Sequence, residues 1–90
     1  MPFYVYILQS LQDGTFYKGS SVRPAERLVE HNNGECRYTK NKTPWDLVYV
    51  EELPTKREML VRELKLKRGN KEYFQKLIES PKNIVHQFIK

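Results

Sequence analysis

The sequence predicts a small α+β domain in which a three-stranded antiparallel sheet is flanked by helices, in the order β-β-α-β-α-α. Two short runs of strand-forming residues flank the turn pair Asp13-Gly14, which is typical of an antiparallel hairpin. A third such run, TPWDLVYVEEL, stands between segments with helical caps and helical periodicity. Ninety residues are enough for one domain with a small core.

The first strand is expected over residues 3–8 (FYVYIL) and the second over residues 15–19 (TFYKG). Successive side chains of a strand point to opposite faces, and the first run is apolar on both. We therefore expect that strand to be covered on both faces of the sheet. In the second strand, Tyr17 and Gly19 share one face, and Lys18 lies on the other.

A helix is expected from Pro24, because proline favours the first helical position, to the stop Asn32-Asn33-Gly34. Arg27 and His31 are four residues apart and share one face of this helix. Beside that face runs a predicted apolar stripe of Ala25, Leu28 and Val29. A guanidinium and an imidazole aimed at one space, with a tyrosine upstream, are typical of a phosphate-handling site. The alternative is a solvated helix face, which is what most such pairs form.

The third strand is expected over residues 43–53. Its alternation is weak because apolar side chains point to both faces, and a central position in the sheet would explain this. Thr55, with Glu58 three residues on, forms a capping box that begins a helix extending to about Arg68. A further helix is expected over residues 71–79.

The last residues are expected to form a helical extension. Ser80-Pro81 can cap and open a helix, and an apolar stripe follows, made of Ile84, Val85, Phe88 and Ile89. We divide the chain into residues 1–80 and an extension of the same domain, residues 81–90. An exposed stripe would favour docking of this C-terminal helix onto a partner protein.

Composition narrows the function classes. Sixteen basic residues against eleven acidic ones give a net charge of +5 and a pI near 9.4. This balance favours a polyanionic partner such as nucleic acid, or else is a solubilising surface. The single cysteine, Cys36, excludes an internal disulfide and a thiolate metal cage, and so favours a reducing compartment. The first apolar run is too short for a membrane span and has no basic leader, so we expect a soluble, cytoplasmic protein.

Glu63 stands out in the helix that follows Thr55. The apolar residues of this helix span a wide arc of the helical wheel, and Glu63 falls inside that arc, between Leu66 and Leu60; the arc consists of Met59, Leu60, Val61, Leu64 and Leu66. A carboxylate inside such an arc needs a partner, because burying it alone is costly. Two alternatives are open. One is a divalent cation in a cleft beside the core, and the other is an exposed Glu63–Lys67 pair worth only about 0.3–0.5 kcal/mol.

A polar, basic loop precedes the third strand. Basic residues are interleaved with an aromatic one: Arg37, Tyr38, Lys40 and Lys42, with Trp45 beyond. Such interleaving suits phosphate contact with base stacking, although it also describes many ordinary loops. The sequence offers no glycine-rich phosphate loop, no pair of metal-binding carboxylates and no Ser/His/Asp or Cys/His set.

The segment from residue 4 to about residue 68 resembles the GIY-YIG nuclease domain in its small stand-alone form. YVYIL occupies the place of the first family motif, with Tyr6 matching its tyrosine, and YKG at residues 17–19 matches the second. Two positions depart from the family pattern. Tyr4 replaces the glycine of the first motif, and Lys18 replaces a usually aliphatic residue of the second.

The later residues carry the resemblance further. Arg27 and His31 follow Tyr17 by ten and fourteen residues, which is the family spacing, and Glu63 falls on the metal-binding glutamate of the family. The resemblance implies metal-assisted hydrolysis of DNA phosphodiester bonds on a GIY-YIG-like fold. Glu63 would hold Mg²⁺ or Mn²⁺. Arg27 would stabilise the charge that grows on the phosphate oxygens in the transition state.

The resemblance leaves the general base open. The family implicates a tyrosine, here Tyr6 or Tyr17, with His31 assisting or relaying the proton. A phenol has an ordinary pKa of about 10, so a cation and Arg27 would have to lower it. His31, with an ordinary pKa of about 6.5, is the easier base on chemistry alone.

DNA is the implied partner, and we expect cleavage to be structure-selective or only weakly sequence-selective, because no second DNA-binding domain is evident. Four basic residues are candidates for contact with DNA: Lys18, Arg37, Lys40 and Lys42. Two alternatives to an active endonuclease stay open. One is a non-cleaving nucleic-acid-binding module, and the other is a nuclease subunit that acts only with a partner protein.

Overall fold

The computed structural model describes residues 2–88. Within them it confirms the predicted α+β class, with a three-stranded antiparallel sheet and three α-helices. The elements are β1 (Phe3–Ser10), β2 (Phe16–Ser21), α1 (Pro24–Asn32), β3 (Trp45–Leu53), α2 (Lys56–Lys67) and α3 (Lys71–Ile78). Single 3₁₀ turns occur at Lys40–Lys42 and Val85–Gln87.

The strand order is β2-β1-β3, and both pairs are antiparallel. β1 and β2 form the predicted hairpin, and β1 is covered on both faces as expected. The central position predicted for β3 is wrong, because β1 occupies it. β3 is apolar on both faces for two other reasons. A bulge opposite Ile7 and Leu8 leaves Val48 as the extra residue, and both faces of the strand are covered.

Two apolar clusters lie on the two faces of the sheet. On one face α2 and α3 pack against the sheet, and the buried residues are Val5, Ile7, Tyr49, Met59, Leu66, Phe74 and Leu77. On the other face α1 and the C-terminal segment pack against Tyr6, Leu8, Trp45, Leu47 and Val50. The predicted faces of the hairpin are therefore confirmed, and Tyr17 lies on the α1 face with Tyr6.

The helix ends follow their sequence signals. Pro24 stands at the start of α1, and the chain leaves that helix through Gly34, whose φ of +78° favours glycine. At α2 the backbone N–H of Glu58 donates to Thr55 Oγ1 over 3.1 Å, which confirms the predicted N-cap. None of the helices within residues 2–88 has both the length and the apolar character needed to cross a membrane.

The predicted C-terminal helix is wrong over the described part of residues 81–90, where the 3₁₀ turn is the regular element. Asn83 is the reason, because its side-chain amide donates to the carbonyl of Val48 and accepts from the N–H of Val50. The N–H of Ile84 adds a bond to the carbonyl of Val50. The segment is thereby fixed along β3, and Ile84, Val85 and Phe88 pack on the α1-face cluster. Ile89 lies outside the described residues.

Candidate active site

The pairing of β1 with β2 sets two tyrosines on the α1 face. Tyr6 is opposite Gly19, and Leu8 is opposite Tyr17. The Tyr6 ring lies over Gly19, where a Cβ would come within 2.7 Å of both the ring carbon Cζ and the hydroxyl oxygen. Gly19 is therefore needed for this close approach. The ring of Tyr17 lies 4.9 Å from that of His31, centroid to centroid.

His31 is the inward residue of α1 and is fully buried. Its Nε2 lies 3.2 Å from the Tyr6 hydroxyl, and its Nδ1 lies 2.8 Å from Thr39 Oγ1. The apolar stripe predicted for α1 is wrong at two of its three positions, since Ala25 and Val29 are exposed. The imidazole replaces them in the core because both ring nitrogens have partners.

Thr39 determines which ring nitrogen of His31 carries the proton. The Thr39 hydroxyl also lies 3.4 Å from the carbonyl oxygen of Cys36, and we assign its proton to that contact. Thr39 Oγ1 then accepts the Nδ1–H of His31, so Nε2 accepts the Tyr6 hydroxyl proton. The indole N–H of Trp45 donates to the Thr39 carbonyl over 2.9 Å and holds the loop in place.

Electrostatics keep this imidazole neutral and the phenols protonated. Burial, aided by the charge of Arg27, lowers the pKa of His31 to about 4. Burial raises the pKa of Tyr6, and it outweighs the nearby Arg27 guanidinium, which lowers it. Burial raises the pKa of Tyr17 to about 12, again against Arg27. At neutral pH the site therefore holds two phenols beside a neutral base.

Arg27 stands one turn before His31 on α1 and is half-exposed. The Tyr6 hydroxyl beside it raises the pKa of its guanidinium, and Glu30 adds to this as its ion-pair partner. The alternative for Arg27 and His31 was a solvated helix face. It is excluded for the buried His31 and is correct only in part for the half-exposed Arg27. The cation lies at the surface of the cluster, where a phosphate can reach it.

Glu63 lies on the other side of β2. Its carboxylate accepts a short hydrogen bond from the hydroxyl of Ser20 and pairs with the Lys67 ammonium over 3.0 Å. The Glu63–Lys67 pair was one of the two alternatives, but the carboxylate is only 18% exposed and so is not in open water. Its charge also raises the pKa of Tyr6 across the strand edge. The acid is therefore electrostatically coupled to the tyrosine cluster.

The apolar arc predicted around Glu63 is correct only in part. Met59 and Leu66 are buried against the sheet. The other three residues of that arc are exposed: Leu60, Val61 and Leu64. Glu63 therefore stands at the margin of the core, where a carboxylate can take both protein and solvent partners.

The oxygen donors at this edge fit a hard divalent cation. No group of three or more His, Cys, Asp or Glu side chains able to hold a metal occurs among the described residues. Mg²⁺ needs only one or two carboxylates beside water and substrate phosphate oxygens. Glu63, with the hydroxyl oxygen of Ser20 beside it, meets that requirement.

The four candidate DNA-contacting cations lie in different surroundings. Lys18 points to the α2–α3 face, where its Nζ lies 5.1 Å from the centre of the Phe74 ring, and burial lowers its pKa. Lys42 pairs with Asp13 over 3.2 Å. Arg37 and Lys40 are exposed on the loop that carries Thr39. The structure thus leaves these last two most available to a polyanion at the α1 face.

Three residues that touch the candidate site were missed in the sequence. Thr39 contacts His31, and Ser20 contacts Glu63. Glu30 forms an ion pair with Arg27. The spacing of Glu30 three residues after Arg27 could have indicated the ion pair. Ser20 and Thr39 gave no comparable signal, because their partners are 43 and eight residues away.

The GIY-YIG catalytic domain family matches residues 2–77 of this chain. A UPF0213 protein of Staphylococcus saprophyticus is 40% identical over 76 residues, which are 83% of this chain and 92% of that protein. A UPF0213 protein of Syntrophus aciditrophicus is 36% identical over 84 residues, or 90% and 95% of the two chains. The solution NMR structure of a UPF0213 protein of Bacillus halodurans matches with a TM-score of 0.56 at 29% identity, covering 91% of this chain and 87% of that one. This chain therefore belongs to the GIY-YIG family of nuclease domains.

Proposed function

We propose that this protein is a divalent-metal-dependent endonuclease that hydrolyses DNA phosphodiester bonds with little sequence selectivity. One observation carries the proposal. The hydrogen-bonded series Tyr6–His31–Thr39 stands beside a half-exposed Arg27, and Glu63 contacts the neighbouring edge strand β2 through Ser20. The net charge of +5 supports a polyanionic substrate, and the exposure of Arg37 and Lys40 supports them as the cations that contact it. We expect the activity in the cytoplasm.

The geometry of β2 supports a site that straddles its edge. Gly19 and Ser20 are consecutive, so one faces the Tyr6 ring and the other faces Glu63. β2 is an edge strand, which leaves its outer side open to a substrate. A phosphate at this edge would meet Arg27 on one face, and Glu63, which would hold a divalent cation, contacts the strand through Ser20.

We assign proton transfer to Tyr6, which contacts the attacking water, and to His31, which accepts the proton from Tyr6. His31 is fully buried, so it does not reach the attacking water itself. In our mechanism Tyr6 takes a proton from the water as its own hydroxyl proton passes to Nε2 of His31. No phenolate has to form beforehand, which agrees with the raised pKa of Tyr6. Phosphate beside Arg27 offsets the charge that lowers the pKa of His31 and so makes the imidazole a better acceptor.

The remaining residues bind and orient the phosphate. Arg27 stabilises the negative charge that develops on its oxygens. Tyr17, with its pKa raised to about 12, is a hydrogen-bond donor to a phosphate oxygen rather than a base. Mg²⁺ or Mn²⁺ at Glu63 would neutralise the leaving 3′ oxygen when bound.

Access to Tyr6 requires a side-chain movement. Tyr6 is only 1% exposed, and the guanidinium beside it is held by Glu30. A phosphate is a stronger partner for Arg27 than one carboxylate at the surface, because it offers more charge and more acceptor oxygens. Substrate binding would draw Arg27 away from Glu30 and uncover the phenol.

A cleavage assay with matched variants tests the proposal. The substrates are duplex, single-stranded and branched DNA, and RNA, each with Mg²⁺, with Mn²⁺ and with chelator. E63Q and R27A should abolish cleavage. E72Q and R23A should not, since they break an exposed Glu–Lys pair and an exposed Arg–Glu pair of the same helical spacings. Binding of DNA without metal-dependent cleavage by the unaltered protein would instead support a non-cleaving module.

A further inference from the structure

Helix α2 has a second apolar face that nothing in the described chain covers. Its inner face buries Met59 and Leu66 against the sheet. On the opposite side Leu60, Val61 and Leu64 are 47%, 59% and 60% exposed. Leu64 lies four residues after Leu60 and three after Val61, so the three side chains form one patch. A helix in a monomeric domain needs one apolar stripe, and a second one is typical of a binding surface.

A groove of about 360 Å³ continues this patch towards the end of β3. It is lined by Leu53, Arg57, Glu58, Val61, Arg62 and Lys65. Arg62 is neutralised by Glu51 over 2.9 Å, and Glu58 is engaged at the helix N-cap. Neither Arg57 nor Lys65 forms an ion pair within residues 2–88. The groove therefore has an apolar floor and a rim that is positive on balance, with the cations Arg57 and Lys65, unpaired within the described residues, against the single carboxylate of Glu58.

We propose that this outer face of α2, the patch with its groove, docks an acidic amphipathic segment of a partner protein. Apolar side chains at helical spacing would fill the groove, and carboxylates would meet Arg57 and Lys65. A second copy of this face is disfavoured, because it would bring identical positive rims together. Nucleic acid would use the cations but has no use for three exposed aliphatic side chains. The interface predicted for a C-terminal helix is thus moved to α2, since Ile84, Val85 and Phe88 are packed on the domain itself.

The test selects peptides from a random 12-residue phage-displayed library on the full chain. Counter-selection uses the double variant L60S/L64S, which changes exposed side chains. Enriched peptides should be net acidic, with apolar residues three or four positions apart. In fluorescence anisotropy their affinity should fall by about tenfold or more in L60S/L64S. It should stay within about twofold in V29S, which removes an equally exposed aliphatic side chain from α1.

Several outcomes would overturn the proposal. One is no enrichment, and another is enriched peptides that are neutral or basic, or that bind L60S/L64S as well as the unaltered chain. Sedimentation velocity, vesicles with 30% anionic phospholipid, and duplex DNA test the other occupants. If L60S/L64S abolishes self-association, vesicle binding or DNA binding instead, the face belongs to that occupant. Because none of these readouts is cleavage, the result is independent of the proposed nuclease activity.

Discussion

Replacing Gly19 by alanine tests whether the Tyr6–His31 contact is built by the backbone of β2. The new Cβ would lie 2.7 Å from Tyr6 Cζ and from its hydroxyl oxygen, whereas 3.4 Å is the start of ordinary contact. The ring must therefore move by about 0.7 Å or more. It is buried, and its hydroxyl already contacts His31 over 3.2 Å, so the movement disturbs that hydrogen bond.

Two effects of opposite sign set the change in stability. Overpacking a buried ring costs about 1–3 kcal/mol. Loss of glycine from the unfolded chain returns about 0.4–1 kcal/mol. The packing effect is larger, so the free energy of unfolding should fall by about 1–2 kcal/mol, which moves a urea midpoint down by roughly 1 M. Equilibrium urea unfolding followed by Trp45 fluorescence measures this.

The second readout is the pKa of His31, measured by NMR titration. Burial lowers the pKa of His31 to about 4, and only the neutral imidazole can accept the Tyr6 hydroxyl proton at Nε2, so displacement of the Tyr6 ring should raise that pKa towards the ordinary value. The matched control is G14A. Gly14 has a φ of +80° and nothing within 4 Å of the added Cβ, so that variant loses a similar stability through backbone strain alone. The reasoning fails if G19A keeps full stability and the same His31 titration, or if G14A shifts the titration equally.

Three further predictions follow from the same contacts. Because the pKa of His31 is lowered to about 4, the unfolded chain binds one more proton between pH 4 and 6.5. Stability should therefore decrease as the pH falls through this window, by up to about 1.4 kcal/mol per unit, and H31Q should flatten the slope measured by urea unfolding. T39V leaves the Nδ1–H of His31 without its acceptor, so we expect about 1–3 kcal/mol of lost stability and a decrease in kcat at unchanged KM, both restored by T39S. Equal losses in T39S would contradict the role given to the hydroxyl. K67M removes the cation 3.0 Å from Glu63, so Mn²⁺ binding followed by electron paramagnetic resonance should tighten by about threefold to tenfold, whereas K76M should not change it.

Local signals in the sequence were sufficient where a few neighbouring residues decide the structure. Asp13-Gly14 predicted the hairpin, and Thr55 predicted the start of α2. They were insufficient where distant partners decide. α1 buries His31 rather than Val29, because Tyr6 and Thr39 satisfy its ring nitrogens from 25 and eight positions away. Periodicity counts an imidazole as polar and cannot record such partners.

The predicted position of β3 and the predicted C-terminal helix were wrong for a related reason. Apolar residues on both faces of β3 indicate that both faces are covered, but they do not say what covers them. On the α1 face, part of β3 is covered by the C-terminal segment, which Asn83 fixes to the open edge of that strand. Three hydrogen bonds that the Asn83 side-chain amide makes with β3 and with the last residue of α3 outweighed the helix signal of Ser80-Pro81. The catalytic candidates were identified by the spacing of the family motifs. Hydropathy alone predicted that His31 lies outside the apolar stripe of α1.

The β1–β2 register carries the whole candidate site, which gives the hairpin turn a role beyond connecting two strands. Gly14 takes a φ of +80° there, and the Ser10 N–H donates to the carbonyl of Thr15 over 2.8 Å. This turn places Gly19 opposite Tyr6. A slip of one residue would turn Gly19 to the α2 face and the next side chain into the Tyr6 ring. Both halves of the proposed site would be lost together, although Gly14 belongs to neither of them. The geometry of the site therefore depends on a turn that fixes the register from outside the site.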